Sequence, residues 1–150
     1  MRSKIFLIIL MSIILIACTD ENDATNAGRY GMMSKDTPQY TAVLFMRAVY
    51  EEKDMQKIVA LSEKRLANRL KSLHTAKNIQ RHILGLRLDS MTAEPVSGGT
   101  LLYSELKDDA TIEIKIIGQY NGDKVTELRI LEMVKESGDW KVAEVKTGVY

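Results

Sequence analysis

His74 and His82 are the only imidazoles in 150 residues. Set eight apart, on helical segments parted by Thr75, they make a poor pair for one metal ion. Neither a cysteine ligand nor a His-Glu-x-x-His stands near them, so no metal site is expected and both read as surface histidines. The carboxylates are more interesting, because acid–base catalysis needs one held out of water with a perturbed affinity for its proton. The expected strands offer Asp89, Glu94, Glu113, Glu127 and Glu132, with Tyr103 and Tyr120 nearby. Glu113 lies opposite Ile112 and Ile114 and should face solvent. Glu132 shares parity with Leu128, Ile130 and Val134, so it points inward if that face is the core, and a bulge would turn it outward. No Gly-x-Ser-x-Gly, phosphate-binding glycine loop or dinucleotide fingerprint occurs, and no catalytic residue or cofactor is assigned.

Charge is segregated. Between Met55 and Leu88, Lys57, Lys64, Arg65, Arg69, Lys71, Lys77, Arg81 and Arg87 face the single acid Glu63, a net of about +7, against about −8 for the rest of residues 18–150. Lys57, Lys64 and Lys71 recur every seven residues opposite an apolar stripe. Three readings stay open: a solvated helix surface, a surface for anionic headgroups or a wall polymer, and a contact for an acidic protein, including the acidic half of a second copy. Lys57, Lys64, Arg65, Arg69 and Lys71 form the candidate surface for such a partner. Nucleic acid is not expected, since no aromatic platform interleaves the lysines.

The elements that must position these groups follow from local pattern. Thr37-Pro38 starts a helix, with a capping hydroxyl before a proline at the first position. Ala42 to Tyr50 is apolar nearly all round, which predicts a helix buried on most sides and ending near Glu52. Asp54 caps the next helix, whose stripe is Met55, Val59, Ser62, Leu66, Leu70 and Leu73, with a break near Ser62. Thr75 starts a third, with Ala76, Ile79, Ile83 and Leu84 inside. Strand grammar then takes over. Leu86 to Glu94 is a strand closed by Pro95, Gly98-Gly99 a turn, and Thr100 to Leu106 a second strand. Thr111 to Tyr120 alternates, Asn121-Gly122 is a hairpin turn, Lys124 to Lys135 returns, and Ser137-Gly138-Asp139 leads to Trp140–Val145. On Lys124 to Lys135, Leu128, Ile130 and Val134 share one face and Val125, Leu131 and Met133 the other, which predicts a bulge or burial on both faces.

Helices followed by a strand meander make an α+β domain. The Thr37-Pro38 helix with Ala42, Phe45 and Val49, the Asp54-led helix, the hairpins and the final Gly138-Asp139-Trp140-Lys141-Val142 together resemble the nuclear-transport-factor-2-like superfamily, over about residues 37–147. The resemblance implies a strongly curved antiparallel sheet wrapped round the first helix as a cone. It makes Phe45, Val49, Tyr103, Glu132 and Trp140 candidate pocket walls. The superfamily holds enzymes, transport factors and binding modules, so fold alone does not choose among them.

The amino-terminal residues carry a separate message. Arg2 and Lys4 precede an apolar run from Ile5 to Ala17 broken only by Ser12, which is the layout of an export signal. Leu15-Ile16-Ala17-Cys18 resembles a lipobox. That implies cleavage after residue 17 and acylation of Cys18, the chain's one cysteine, followed by a polar tether over residues 18–36 and a single domain over 37–150. Thr19 after the cysteine, by the same resemblance, favours an outer membrane facing the periplasm if the cell is Gram-negative. The expected function is a lipid-anchored envelope protein that binds a ligand or protein without catalysis. An enzyme using a carboxylate inside the cone and an accessory subunit of an envelope complex are the alternatives.

Overall fold

The computed structural model describes residues 33–34, 36–100 and 108–148, with the side chains of 97–100 left out. Cys18, Tyr103 and the strand expected beyond Thr100 lie outside the described residues. No helix among those described is long and apolar enough to cross a membrane.

Helix α1, Pro38–Arg47, is capped by Thr37, whose hydroxyl accepts from the Tyr40 N–H at 3.3 Å. It widens into a π turn over Ala48–Glu52 that ends at Lys53 in the left-handed region. Ala42, Phe45, Met46, Ala48 and Val49 are wholly buried. Asp54 caps α2, Met55–Ala60, and Glu63 caps α3, Lys64–Leu73, each carboxylate accepting from two N–H groups of the first turn. Thr75 caps α4, Ala76–His82. The expected break falls at Leu61–Glu63, and those residues do more than interrupt a helix. The Val142 N–H donates to the Leu61 carbonyl at 2.9 Å, and the Glu63 N–H donates to the Val142 carbonyl at 2.8 Å. Part of the edge of the final strand, at Val142, is thereby covered instead of being left open to pairing.

Among the described residues four antiparallel strands follow in sequential order: β1 Ser90–Thr100, β2 Asp109–Tyr120, β3 Asp123–Glu136 and β4 Asp139–Thr147. The sheet curves over α1, which touches all four strands. This is the α+β arrangement of N-terminal helices on a curved antiparallel sheet that the sequence predicts. Both described hairpins use two residues with positive φ, Asn121-Gly122 and Ser137-Gly138, the geometry that matches strand twist. Ile112, Ile114 and Ile116 face the helices together with Leu131, Met133, Trp140 and Val142.

Two expectations about β1 are corrected. The strand begins at Ser90 rather than Leu86, and neither Pro95 nor Gly98-Gly99 ends it, since it runs to Thr100. Proline is tolerated because β1 is an edge strand, where a missing N–H costs no ladder bond on the open side. The register does shift between Pro95 and Thr100.

Candidate functional site

Among the described residues a groove of about 320 Å³ opens where α3, α4 and β4 meet. Arg65 and Arg69, one helical turn apart on α3, stand beside it with His82 at the end of α4. Leu66, Ile83, Ala143 and Val145 supply the apolar wall, and Glu144 sits at its rim. Local sequence explains the placement. Leu66, Ala67 and Leu70 bury one side of α3, which leaves Arg65 and Arg69 on a flank. A register shift in the β3–β4 ladder pairs Glu132 with Glu144 and Met133 with Val142, leaving Ala143 as the extra residue. Such a bulge re-aims neighbouring side chains.

Several cations elsewhere are matched: Lys57 with Glu52 at 2.8 Å, Arg47 with Glu51 at 3.1 Å, and Lys146 with Glu132 at 3.0 Å. The hydrogen bond to Glu132, then the charges of Glu132 and Glu144, hold the Lys146 ammonium above its ordinary range. Among the described residues Lys64, Arg65, Arg69 and Lys71 have no ion pair. Two unmatched guanidinium groups at one-turn spacing can give charge-assisted hydrogen bonds to a carboxylate or phosphate.

The structure sorts the predicted surface. Lys57 lies on α2 and is tied to Glu52, while Lys64, Arg65, Arg69 and Lys71 lie on α3 beyond the break. The seven-residue recurrence of Lys57, Lys64 and Lys71 therefore does not trace one helical row, because the Leu61–Glu63 connection resets the helix axis. Arg65 and Arg69 enter the groove, and the lysines do not line it.

Of the candidate pocket residues that are described, Glu132 stands apart from the buried Phe45, Val49 and Trp140. Phe45 and Val49 are wholly buried in the core. Trp140 is buried and its ring N–H donates to the Asp36 carbonyl at 3.1 Å. Glu132 lies on the sheet face away from the helices, its side chain 37% exposed, where it accepts from the Thr111 hydroxyl and from Lys146. The inward faces of β3 are Arg129, Leu131 and Met133, so the parity that includes Leu128, Ile130 and Val134 is the outer one. Among the described residues no three His, Cys, Asp or Glu side chains are placed to hold a metal ion.

Sequence reasoning missed the buried polar set. Arg129 is only 3% exposed. Its Nε donates to the Leu84 carbonyl at 2.7 Å, and Nη1 to the Leu128 carbonyl and to Glu127. Tyr50 donates to the Leu86 carbonyl at 2.8 Å, and Gln80 to the Val49 carbonyl of the π turn at 3.2 Å. Burial pushes the Tyr50 hydroxyl far above its ordinary ionisation range, partly offset by the Arg129 charge. The parity of Arg129 with Leu131 and Met133 was the available signal.

No family model matches the chain, and no curated protein matches it. Similar solved structures include the following two. A SEC-C motif containing protein from Rhodopseudomonas palustris is 12% identical, with 80% of this chain and 85% of that chain covered and a TM-score of 0.52. An NTF2-like design, Rd1NTF2_05, is 14% identical over 73% of this chain and 92% of that one, with a TM-score of 0.48. At such identity the first likeness is one of fold.

Proposed function

We propose that this protein is a lipid-anchored cell-envelope module with a nuclear-transport-factor-2-like domain, and that it binds an anionic partner without catalysing a reaction. The carrying observation is the groove in which Arg65 and Arg69 stand beside apolar Leu66, Ile83 and Val145 with no ion pair among the described residues. That mixture suits a carboxylate- or phosphate-bearing side chain or headgroup that also presents some apolar surface. Anchoring rests on the lipobox-like Leu15-Ile16-Ala17-Cys18 and the polar stretch after it. Single acyl chains hold a membrane only marginally, whereas two or more hold firmly, so a multiply acylated Cys18 would keep the domain near its partner.

A photo-crosslinking residue in place of Ile83, in intact envelopes, tests the groove directly. The account expects a defined crosslinked species with the arginines present and its loss in Arg65→Glu/Arg69→Glu. Equal crosslinking in both, with the fold retained, would remove the groove from the function.

A further inference from the structure

A second concavity, of about 300 Å³, is lined by Arg81, Gly85, Leu86, Arg87, Tyr120 and Val125. It shares no residue with the Arg65–Arg69 groove. It lies between the segment joining α4 to β1 and the β2–β3 hairpin.

The segment is held in place by the buried polar side chains that the proposed binding function leaves unused. Arg129 fixes the Leu84 carbonyl at 2.7 Å and Tyr50 fixes the Leu86 carbonyl at 2.8 Å. From the helix side, the Leu86 N–H donates to the Gln80 carbonyl at 3.0 Å. From the hairpin side, Asp89 accepts from the Asn121 N–H at 2.9 Å, and the Asp89 N–H donates to the Gln119 carbonyl. Sequestering a guanidinium costs several kcal/mol unless its hydrogen bonds are met; here the connecting segment takes the Nε bond, and Leu128 and Glu127 of β3 take those of Nη1. The result is a preorganised wall, and preorganisation lowers the entropy cost of binding.

The chemistry of that wall is specific. The Arg87 guanidinium lies 5.5 Å from the Tyr120 ring centroid, within cation–π range. Arg81 stands on α4 at the same concavity, and neither arginine has a carboxylate partner among the described residues. Leu86 and Val125 add aliphatic surface. Gly85 has φ +61, and nothing lies within 4 Å of where its Cβ would stand, so the backbone there is open. Guanidinium groups take an oxyanion in their fork and a flat π system on their face, and Tyr120, Leu86 and Val125 suit an apolar body. The volume matches the small end of ligand sites, which begin at about 300 Å³.

We infer that the Arg81–Arg87–Tyr120–Val125 concavity is a second binding site, for a small organic anion with a planar apolar body, of the aryl-carboxylate class. Saturation-transfer NMR on the full chain in detergent micelles, with benzoate as the probe and acetate and cyclohexanecarboxylate as comparisons, tests it. Benzoate should give saturable transfer, and both comparison anions should bind at least about tenfold more weakly, as expected if stacking and charge both contribute. Arg87→Gln and Arg81→Gln should each weaken benzoate about tenfold, with circular dichroism unchanged. Arg81 is exposed on α4, so its variant keeps the test sharp if an Arg87 variant disturbs the hairpin. Arg65→Ala/Arg69→Ala should leave benzoate binding unchanged. The assignment is overturned by absence of saturable transfer, by acetate or cyclohexanecarboxylate binding as tightly as benzoate, by indifference to Arg81→Gln, or by loss of binding in Arg65→Ala/Arg69→Ala.

Discussion

Arg129 on β3 donates its Nε hydrogen bond to the carbonyl of Leu84, 45 residues earlier in the chain, at 2.7 Å. The contact ties the sheet interior to the segment between α4 and β1. Removing the side chain leaves the buried carbonyl without its partner and empties the space of the aliphatic stem. Arg129→Ala should therefore destabilise the domain by about 2–3 kcal/mol, seen as a lower urea midpoint. A midpoint shift below about 0.5 kcal/mol would place the arginine among ordinary surface residues.

Tyr50 gives a pH signature. Its ordinary value is 10.0, and burial raises it in the folded state. The neutral hydroxyl is the form the fold accommodates, so its contribution is fully present below pH 10 and is lost as pH rises toward the higher folded value. Tyr50→Phe should cost about 1 kcal/mol at neutral pH, from the lost bond to Leu86, and should lose stability less steeply above pH 10. Parallel alkaline profiles for the two proteins would contradict this reading.

Gly118, on the interior strand β2, packs against the start of the edge strand β1 and the end of the α4–β1 segment. A Cβ there would run into the Ser90 carbonyl and come within 2.7 Å of Leu88. Gly118→Ala should lower stability by about 1–3 kcal/mol through overpacking, and thermal melting will show it. An unchanged melting temperature would mean that the edge yields freely.

These sites show which parts of the fold were legible in sequence. The caps at Thr37, Asp54 and Thr75, the Asn121-Gly122 turn and the alternation of Ile112, Ile114 and Ile116 are local signals, and each appears where local chemistry puts it. Pro95 misled because its effect depends on whether the strand is at an edge, a property of the whole sheet. On β3 two apolar parities compete, and the inner one contains an arginine while the outer contains Leu128 and Ile130. Only the register against β2 decides between them. The groove was half legible: the basic run named Arg65 and Arg69, but their meeting with His82 and the bulged β4 is tertiary. Lys57, Lys64 and Lys71 showed the limit of periodicity, since the count of seven carries across a helix break that it does not register.

Anchoring is tested at one atom. Cys18→Ser removes the thiol to which the proposed acyl chains attach. The variant should accumulate unprocessed or leave the membrane fraction. Processing at the same bond together with membrane retention in high salt would rule out lipidation at Cys18.

The central claim is that the Arg65–Arg69 groove, and not bulk positive charge, recruits an anionic partner. Two double variants with equal net charge separate these: Arg65→Glu/Arg69→Glu and Lys64→Glu/Lys71→Glu, all four positions exposed on α3. Substitutions at exposed positions should each shift stability by under about 0.5 kcal/mol, so both proteins should fold. The deciding measurement is partner recovery after crosslinking in intact envelopes, at physiological and raised salt. The account predicts that the arginine pair loses recovery by tenfold or more, about 1.4 kcal/mol, while the lysine pair retains most of it. Wild-type recovery should fall with salt, because exposed charges are screened beyond about 8 Å at physiological ionic strength. Equal losses in the two variants, or none in either, would contradict the groove as the site of recognition.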